Sequence, residues 1–501
     1  MIKTSETYNP FPVIRRVGFE VEFRIIDVNA AKTVTASSES TAVVSSPAQT
    51  LDEERRTQDY QTLELNHIIL DGSQPILPDD VTGLQLGWWS EALSDADGVF
   101  SAPPSIRYDF TTDISSIGFT AFYAVPPTRL RITAYDADGA TIASQEFTPE
   151  GDAHIYEMPV QNYRAVVFEF LETALPYRRI RMLEAVFGIT RVFDETSLAN
   201  VSLSYAASLT AESVAMRQLV FKFDNSDHEF NLLNPEGLYA YLQDGQQVVA
   251  RGSIGGEFVN MGSFRYAKAT SKDSALTAEI TANDIIYSLD RSEFLGGSAE
   301  TTTLEDAVGR VLDGFGVDVV FAGGVESRLV RMAIPESATR REAVRMLAQA
   351  AMCSVWTNRD GALLFYPLAV ADEPDGRLTA SELYNYDGIS VGSRTDCVEL
   401  STMSEFDEVE KVYIAGSGDK IVSVTNPCVA DENGQAVAEW LLAQYNRLKS
   451  YNVQNRCDLA TEIGDTLNVA DAYGQNANAT VIGIEIRYNG GLSATTRLIG
   501  A

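Results

Sequence analysis

Apolar residues recur at every second position through most of this chain, and at helical spacing in only three stretches. A period of two puts alternate side chains on opposite faces of a pleated backbone, so the pattern commits most of the chain to strands. Phe19, Val21, Phe23 and Ile25 fall on one face of residues 19–25, with Glu20, Glu22 and Arg24 on the other. That alternation predicts a half-buried strand with a solvated polar side. Residues 29–58 turn polar and rich in Thr, Ser and Glu, and are expected to form an exposed hairpin or loop.

Between residues 73 and 190 short alternating runs are broken at turn residues, the signature of an all-β sandwich. Ile106, Tyr108 and Phe110 form one inward stripe, and Ile117, Phe119, Ala121 and Tyr123 another. Leu130, Ile132 and Ala134 precede the hairpin turn Asp136-Ala137-Asp138-Gly139, and Val166, Phe168 and Phe170 follow later. Strand patterns continue with Leu219, Phe221 and Phe223 before the turn Asp224-Asn225-Ser226-Asp227, and at 247–254 and 276–281.

The helical stretches come late. Leu304, Val308, Val311 and Leu312 mark one helix, ended by Gly314 and Gly316. Thr339-Arg340-Arg341-Glu342 is a capping box, in which hydroxyl and carboxylate satisfy free backbone donors, and Val344, Leu347, Ala348 and Ala351 form the buried stripe behind it. The strand Ala362–Phe365 is predicted to follow a tight turn at Arg359-Asp360-Gly361. A third helix over 433–450 carries Ala438, Leu441, Leu442, Tyr445 and Leu448, with Asn433 as its N-cap and Lys449 near its C-terminal end.

At 501 residues the chain is long enough for two to four domains. A hydrophobic fraction of 45% with 22% charged residues argues against long disorder. The 38 Lys and Arg against 70 Asp and Glu leave a net charge of −32, which repels phosphate and anionic lipid. Sequence-specific nucleic-acid binding and membrane-surface binding are therefore poor fits; solubility, or a channel wall past which DNA slides, fits better. Cys353, Cys397, Cys428 and Cys457 are scattered without a CxxC pair, which argues against a zinc site and a disulfide scaffold. The N-terminus lacks a basic segment followed by an apolar run, and no stretch of about 18 apolar residues occurs, so neither a signal peptide nor a membrane span is expected.

Catalytic chemistry finds little support. His67, His154 and His228 stand in no HExxH or HxH arrangement, and no GxSxG elbow accompanies them. Glu20 with Glu22, and Glu405 with Asp407 and Glu408, read as solvated strand faces rather than paired acid and base. Asp95-Ala96-Asp97-Gly98 and Asp136-Ala137-Asp138-Gly139 lack the spacing and closing glutamate of a calcium loop, and read as turns. Gly416-Ser417-Gly418 lacks the third glycine and following helix of a nucleotide fingerprint. The expectation is no catalytic residue, no metal and no cofactor. Trp88 and Trp89 are the weak candidates for stacking on a sugar ring; as strand neighbours they point to opposite sides, so core packing is the favoured reading.

Several motifs fall in a telling order. Leu63-Glu64-Leu65-Asn66, Leu70-Asp71-Gly72-Ser73, Gly87-Trp88-Trp89-Ser90, Pro176-Tyr177-Arg178-Arg179-Ile180-Arg181 and Phe187-Gly188-Ile189 come first. Asn426-Pro427, the third helix, Tyr451-Asn452-Val453, Glu462-Ile463-Gly464-Asp465 and Ile484–Gly491, with its Tyr488-Asn489-Gly490-Gly491 turn, come last. From about residue 19 to the end this order resembles hub proteins at the tip of bacteriophage tails, in particular tail proteins of Gram-positive phages and prophages. Residues 73–190 resemble a galactose-binding-like jelly roll.

The resemblance implies a mainly β fold with a smaller α/β part: hub-type β-barrels plus an inserted jelly-roll β-sandwich. Its divisions would be 1–72 for the start of a first hub barrel, 73–190 for the inserted sandwich, 191–300 for the rest of that barrel, 301–370 for an α/β domain and 371–501 for a second hub barrel with one helix. It implies a homotrimer in the virion, made in the bacterial cytoplasm, that caps the tail tube and lets DNA pass. The partners would be tail tube and distal tail proteins, the tape measure protein, and tip or receptor-binding proteins, with a host cell-wall glycan as a candidate ligand of the sandwich. Many such hubs carry a lytic or fibre-like extension, whereas this sequence stops at Ala501, so cell-wall cutting is expected to belong to other chains. The alternatives are a carbohydrate-binding adhesin acting through residues 73–190, and a tail-associated cell-wall hydrolase.

Overall fold

The computed structural model describes all residues except 1, 3, 6–7, 13, 53–59, 61–63, 66–70, 72–74, 78–83, 232, 235–236, 272–275, 405, 408, 410, 471–475 and 501. The fold is mainly β with a smaller α/β part. It divides into two compact units, one of Met1–Glu22, Val192–His228 and Gln247–Ala501, the other of Phe23–Arg191 and Glu229–Gln246.

The smaller unit is built on an antiparallel sheet in the order Trp88–Trp89, Arg181–Val186, Ser105–Val125, Ala153–Thr173, Pro127–Tyr135, Thr141–Phe147. Its two long strands carry 21 residues each. Bulges between Asp109 and Gly118 change which parity faces inward: Ile106, Tyr108 and Phe110 are buried before them, Phe119, Ala121 and Tyr123 after them. Both halves face one core, because Phe110 and Phe119 each touch Tyr163, at 5.4 and 5.8 Å between ring centroids. A bulge bends its strand and re-aims the side chains beyond it, which is how a single strand serves two sides of a core.

The polar segment after the first strand is not a free loop. Ala30–Thr33 is a short helix, and Val34–Ser37 pairs with Ser105–Val125, Val34 opposite Phe110. The polar side of Val17–Ile26 is likewise enclosed rather than solvated: Glu22 and Arg24 are 5% and 7% exposed. Arg24 lies 3.4 Å from Glu184, and Glu20 lies 3.1 Å from Arg251.

The larger unit holds a long sheet in the order Leu383–Val391, Lys449–Asn455, Leu492–Gly500, Asn476–Tyr488, Leu198–Ala206, Gln218–Asp224, Thr277–Asn283, Glu257–Ser271, Gln247–Ile254 and the start of Val17–Ile26. Thr466–Ala470 joins Asn476–Tyr488 from the side and Gly376–Leu378 runs parallel to it. Adjacent strands pair across long sequence distances, Val201 facing Tyr488 and Leu203 facing Ile486.

Beside it lies the α/β part. Thr303 caps Leu304–Leu312 by accepting from the Asp306 N–H, and the reciprocal capping box at Thr339 and Glu342 opens Arg340–Ala350. Val319–Phe321 runs parallel to Leu363–Tyr366, which pairs antiparallel with Ser354–Thr357. A second small sheet, Val412–Gly416, Cys397–Ser401 and Ile421–Thr425, backs the helix Gly434–Tyr445. One apolar core joins all three helices through Leu304, Val308, Val344, Leu347, Val437 and Leu441.

The third helix is shorter than its apolar spacing predicts. It stops at Tyr445, and Lys449 opens the strand Lys449–Asn455 instead of closing the helix. Asn433 occupies the N-cap position without capping: its backbone is helical, at φ −106° and ψ −7°, not extended as in a capping residue, and its amide N–H donates to the Leu329 carbonyl at 2.9 Å.

Candidate functional site

The turn Glu462-Ile463-Gly464-Asp465 is built by its own side chains. Asp465 Oδ2 accepts the Glu462 N–H at 2.6 Å. The Gly464 N–H donates to Val481 O at 2.9 Å, and the Val481 N–H to Asp465 O at 2.8 Å, which clamps the turn to Asn476–Tyr488. Gly464 stands at φ +92°, where a side chain is strained. Asp465 is 7% exposed, and burial raises its carboxyl above the usual range.

Arg359 closes on this turn from another part of the chain. At 3% exposure its guanidinium donates to Glu462, to Thr461 O at 2.8 Å, to Asn260 O at 3.0 Å and to the Tyr205 hydroxyl at 3.4 Å. Arg217 adds a second buried cation, donating to Asn358 O at 2.6 Å and Met261 O at 2.8 Å, and lying 4.8 Å over the Tyr205 ring. Its backbone N–H donates to Asp284 Oδ2 at 3.0 Å, and Asp284 Oδ1 accepts from Ile286 N–H at 3.1 Å. Burial pushes the Asp284 carboxyl up to about 6 despite those donors.

The chemistry of this cluster is mechanical. Each guanidinium ends on carbonyl oxygens from separate segments, and a guanidinium neither gives up its proton nor attacks a substrate. The cluster ties the Thr461–Asp465 turn, the Asn358–Gly361 turn and Glu257–Ser271 into one body. Sequence spacing shows Arg359 only as a turn residue, and nothing in the pattern around Arg217 marks it as buried.

The sequence candidates lie elsewhere. Trp88 and Trp89 are 0% and 5% exposed. Trp88 stacks on Phe170 at 5.4 Å and its indole N–H donates to Thr41 Oγ1 at 3.1 Å. Trp89 donates to Leu86 O at 2.9 Å and carries the Arg181 guanidinium 4.3 Å from its ring. Asp95 Oδ1 accepts the Asp97 and Val99 N–H groups at 2.9 Å each, and Asp136 Oδ1 accepts those of Asp138 and Ala140 at 2.9 and 2.8 Å. Both runs are thus turns closed by their first aspartate.

Among the three histidines, His67 lies outside the described residues. His154 accepts the Glu150 N–H at 3.4 Å, with its pKa lowered by burial, and His228 stands at φ +61° in the turn after Gln218–Asp224. Glu405 and Glu408 also lie outside the described residues, whereas Asp407 pairs with Arg331 at 3.0 Å. The four cysteines are buried and free, and burial pushes the Cys353, Cys428 and Cys457 thiols up to about 12. Among the described residues no three His, Cys, Asp or Glu side chains group to hold a metal, and no helix is long and apolar enough to cross a membrane.

No family model matches the chain, and no curated protein matches it in sequence. Solved structures do resemble it. One is the tail protein from Neisseria meningitidis MC58, at 14% identity and TM-score 0.44 over 60% of this chain and 92% of that one. A 43 kDa tail protein of prophage MuSo2 from Shewanella oneidensis aligns at 13% identity and TM-score 0.45, over 62% and 96%. The prophage tail protein gp18 from Listeria monocytogenes EGD-e aligns at 12% identity and TM-score 0.41, over 62% and 91%.

Proposed function

We propose that this chain is a non-catalytic structural protein of a phage-type tail tip, a hub that caps the tail tube as a homotrimer and leaves a channel for DNA. The observation that carries the reading is the pair of closing motifs, Glu462–Asp465 and Tyr488–Gly491. In the order that the hub resemblance requires, the first leads into Thr466–Ala470 and the second joins Asn476–Tyr488 to Leu492–Gly500 in the same sheet, and the first turn is tied into the body through Arg359. Among the described residues the sheet ends at Leu383–Val391, which pairs there with Lys449–Asn455 alone and exposes Tyr384, Ile389 and Val391 at 62%, 52% and 70%. An open apolar edge of this kind invites pairing with another strand, and a ring of identical subunits closes such edges. The net charge of −32 suits a wall that DNA passes without adhering.

In this reading the tube and distal tail proteins, the tape measure protein and tip or receptor-binding proteins are its neighbours. Light scattering on the purified chain tests it: a trimer weighs three times 54.7 kDa, and electron microscopy of particles would place it at the tip. A monodisperse monomer at micromolar concentration, unchanged by tail partners, overturns the proposal.

A further inference from the structure

Residues 2–16 run ahead of the strand Val17–Ile26 along the surface of the larger unit. Every third residue from Ile2 to Phe11 ties this arm down. The Ile2 N–H donates to Ala460 O at 2.8 Å. Ser5 donates twice to the Glu257 carboxylate, from its N–H at 3.0 Å and from its hydroxyl at 2.7 Å. The Tyr8 hydroxyl donates to Asp458 Oδ1 at 2.8 Å and accepts the Leu459 N–H at 3.1 Å. Phe11 carries the guanidinium groups of Arg15 and Arg456, each 5.8 Å from its ring. Arg15 then donates to Cys457 O at 2.5 Å and to Leu492 O at 3.3 Å.

All of these ties are polar or cationic, and none of the described residues from 2 to 16 is buried. The strand that follows is different in kind, because Phe19 and Val21 are 2% and 0% exposed. A cavity of about 520 Å³ lies between Tyr8, Asn9 and Pro12 of the arm and the hairpin turn of Gly255 and Gly256, so the arm bridges that turn instead of packing on it. Buried apolar surface is what binds a segment to the cooperative unfolding of its domain. Hydrogen bonds at a wet surface contribute little each, and the backbone entropy of ordering the segment offsets them.

We propose that residues 2–16 form a detachable strap, which lifts as one unit about Val17 while the long sheet stays paired. Lifting returns Glu257, Asp458 and the Leu459 N–H to water and takes Arg15 off Cys457 O. Cys457 stands at φ +63°, in the left-handed region, so the closed strap braces a strained turn. That turn runs directly into Thr461 and Glu462, where Arg359 takes hold. It therefore keeps its buried anchor when the strap lifts.

Residue-resolved hydrogen exchange on the purified chain tests this. The amides of Ile2, Ser5 and Leu459 are expected to exchange at one common opening rate, about a hundredfold faster than the slowest amides of Leu198–Ala206. Tyr8→Phe removes one tie and should speed all three about three- to tenfold, the range for one hydrogen bond. Glu257→Ala removes both acceptors of Ser5 and touches neither Leu459 nor its partner Tyr8, yet it should speed the Leu459 amide as well. The melting temperatures of both variants should match the parent, because the strap opens before the fold does. Arm amides as slow as those of Leu198–Ala206, a Leu459 amide indifferent to Glu257→Ala, or a melting temperature that falls in step with the faster exchange overturns the proposal.

Discussion

The ion pair of Arg359 with Glu462 joins two turns that lie 103 residues apart in sequence. Arg359 is almost fully enclosed, while Glu462 keeps a 16% exposed side chain. Removing the arginine leaves a half-buried carboxylate, two carbonyl oxygens and the Tyr205 hydroxyl without their donor. Arg359→Met is expected to cost about 3 kcal/mol in urea denaturation, at the lower end for breaking a buried pair. Arg359→Met with Glu462→Gln should recover part of that loss; no recovery would mean that the carbonyl contacts dominate.

Asp284 sets a pH dependence. Burial raises its pKa from 3.8 to about 6, so the folded state holds this proton more tightly than the unfolded chain. Its contribution is greatest below pH 3.8 and is lost as pH rises to about 6, a change on the order of 3 kcal/mol. Asp284→Asn cannot titrate. Stability measured from pH 4 to 6.5 should therefore show the variant gaining on the parent as pH rises, with the difference levelling above pH 6; a constant difference would refute the assignment.

Gly464 and Gly490 both sit at positive φ, +92° and +87°. Alanine at either is expected to cost about 1 to 2 kcal/mol from conformation alone. At Gly490 the added methyl meets open space, whereas at Gly464 it comes within 3.4 Å of Leu368 and 3.6 Å of Trp356. Both Gly464 distances are ordinary van der Waals contact, so thermal denaturation should show losses of similar size at the two positions, set by the positive φ.

Trp88 is a core residue by its contacts. Trp88→Ala should destabilise the smaller unit by about 3 to 5 kcal/mol, the range for emptying a large aromatic site. Any glycan retained by the protein on an array should then fall only in step with the unfolded fraction. A folded Trp88→Ala protein that loses glycan binding would speak for a sugar site at this position.

The capping box gives a local test. Thr339 Oγ1 accepts the Glu342 N–H at 3.2 Å and Glu342 accepts the Thr339 N–H at 2.9 Å. Thr339→Ala is expected to cost about 1 kcal/mol by chemical denaturation.

What the sequence revealed follows from how local each signal is. The Thr339 box, the aspartate turns at Asp95 and Asp136, and the strand stripes at 106–110 and 219–223 depend on neighbours a few residues away, and all are present. Arg24 and Glu22 defeat the same reasoning, since alternation places them on the polar side of a strand and cannot say that another layer covers that side. The parity change inside Ser105–Val125 escapes because a bulge shifts the register with little compositional trace beyond exposed Thr111, Thr112 and Asp113. The helix at 434–445 ends early because Asn446 and the turn after it carry the chain into a strand whose partner, Leu492–Gly500, is remote. The Arg359 and Arg217 cluster is invisible for the same reason: its partners come from five distant segments.

Leu198–Ala206 is flanked by Gln218–Asp224 on one side and by Asn476–Tyr488 on the other, and the chain returns to the larger unit after two excursions into the smaller one. During synthesis the smaller unit has all of its residues once Gln246 has emerged, while Leu198–Ala206 waits with one bare flank until Asn476–Tyr488 has emerged. Such late, long-range closure is slow, and the waiting strand is exposed to pairing with other nascent copies. A chain released before residue 476 would keep that flank open for good, so premature termination is expected to yield aggregates rather than a smaller working protein.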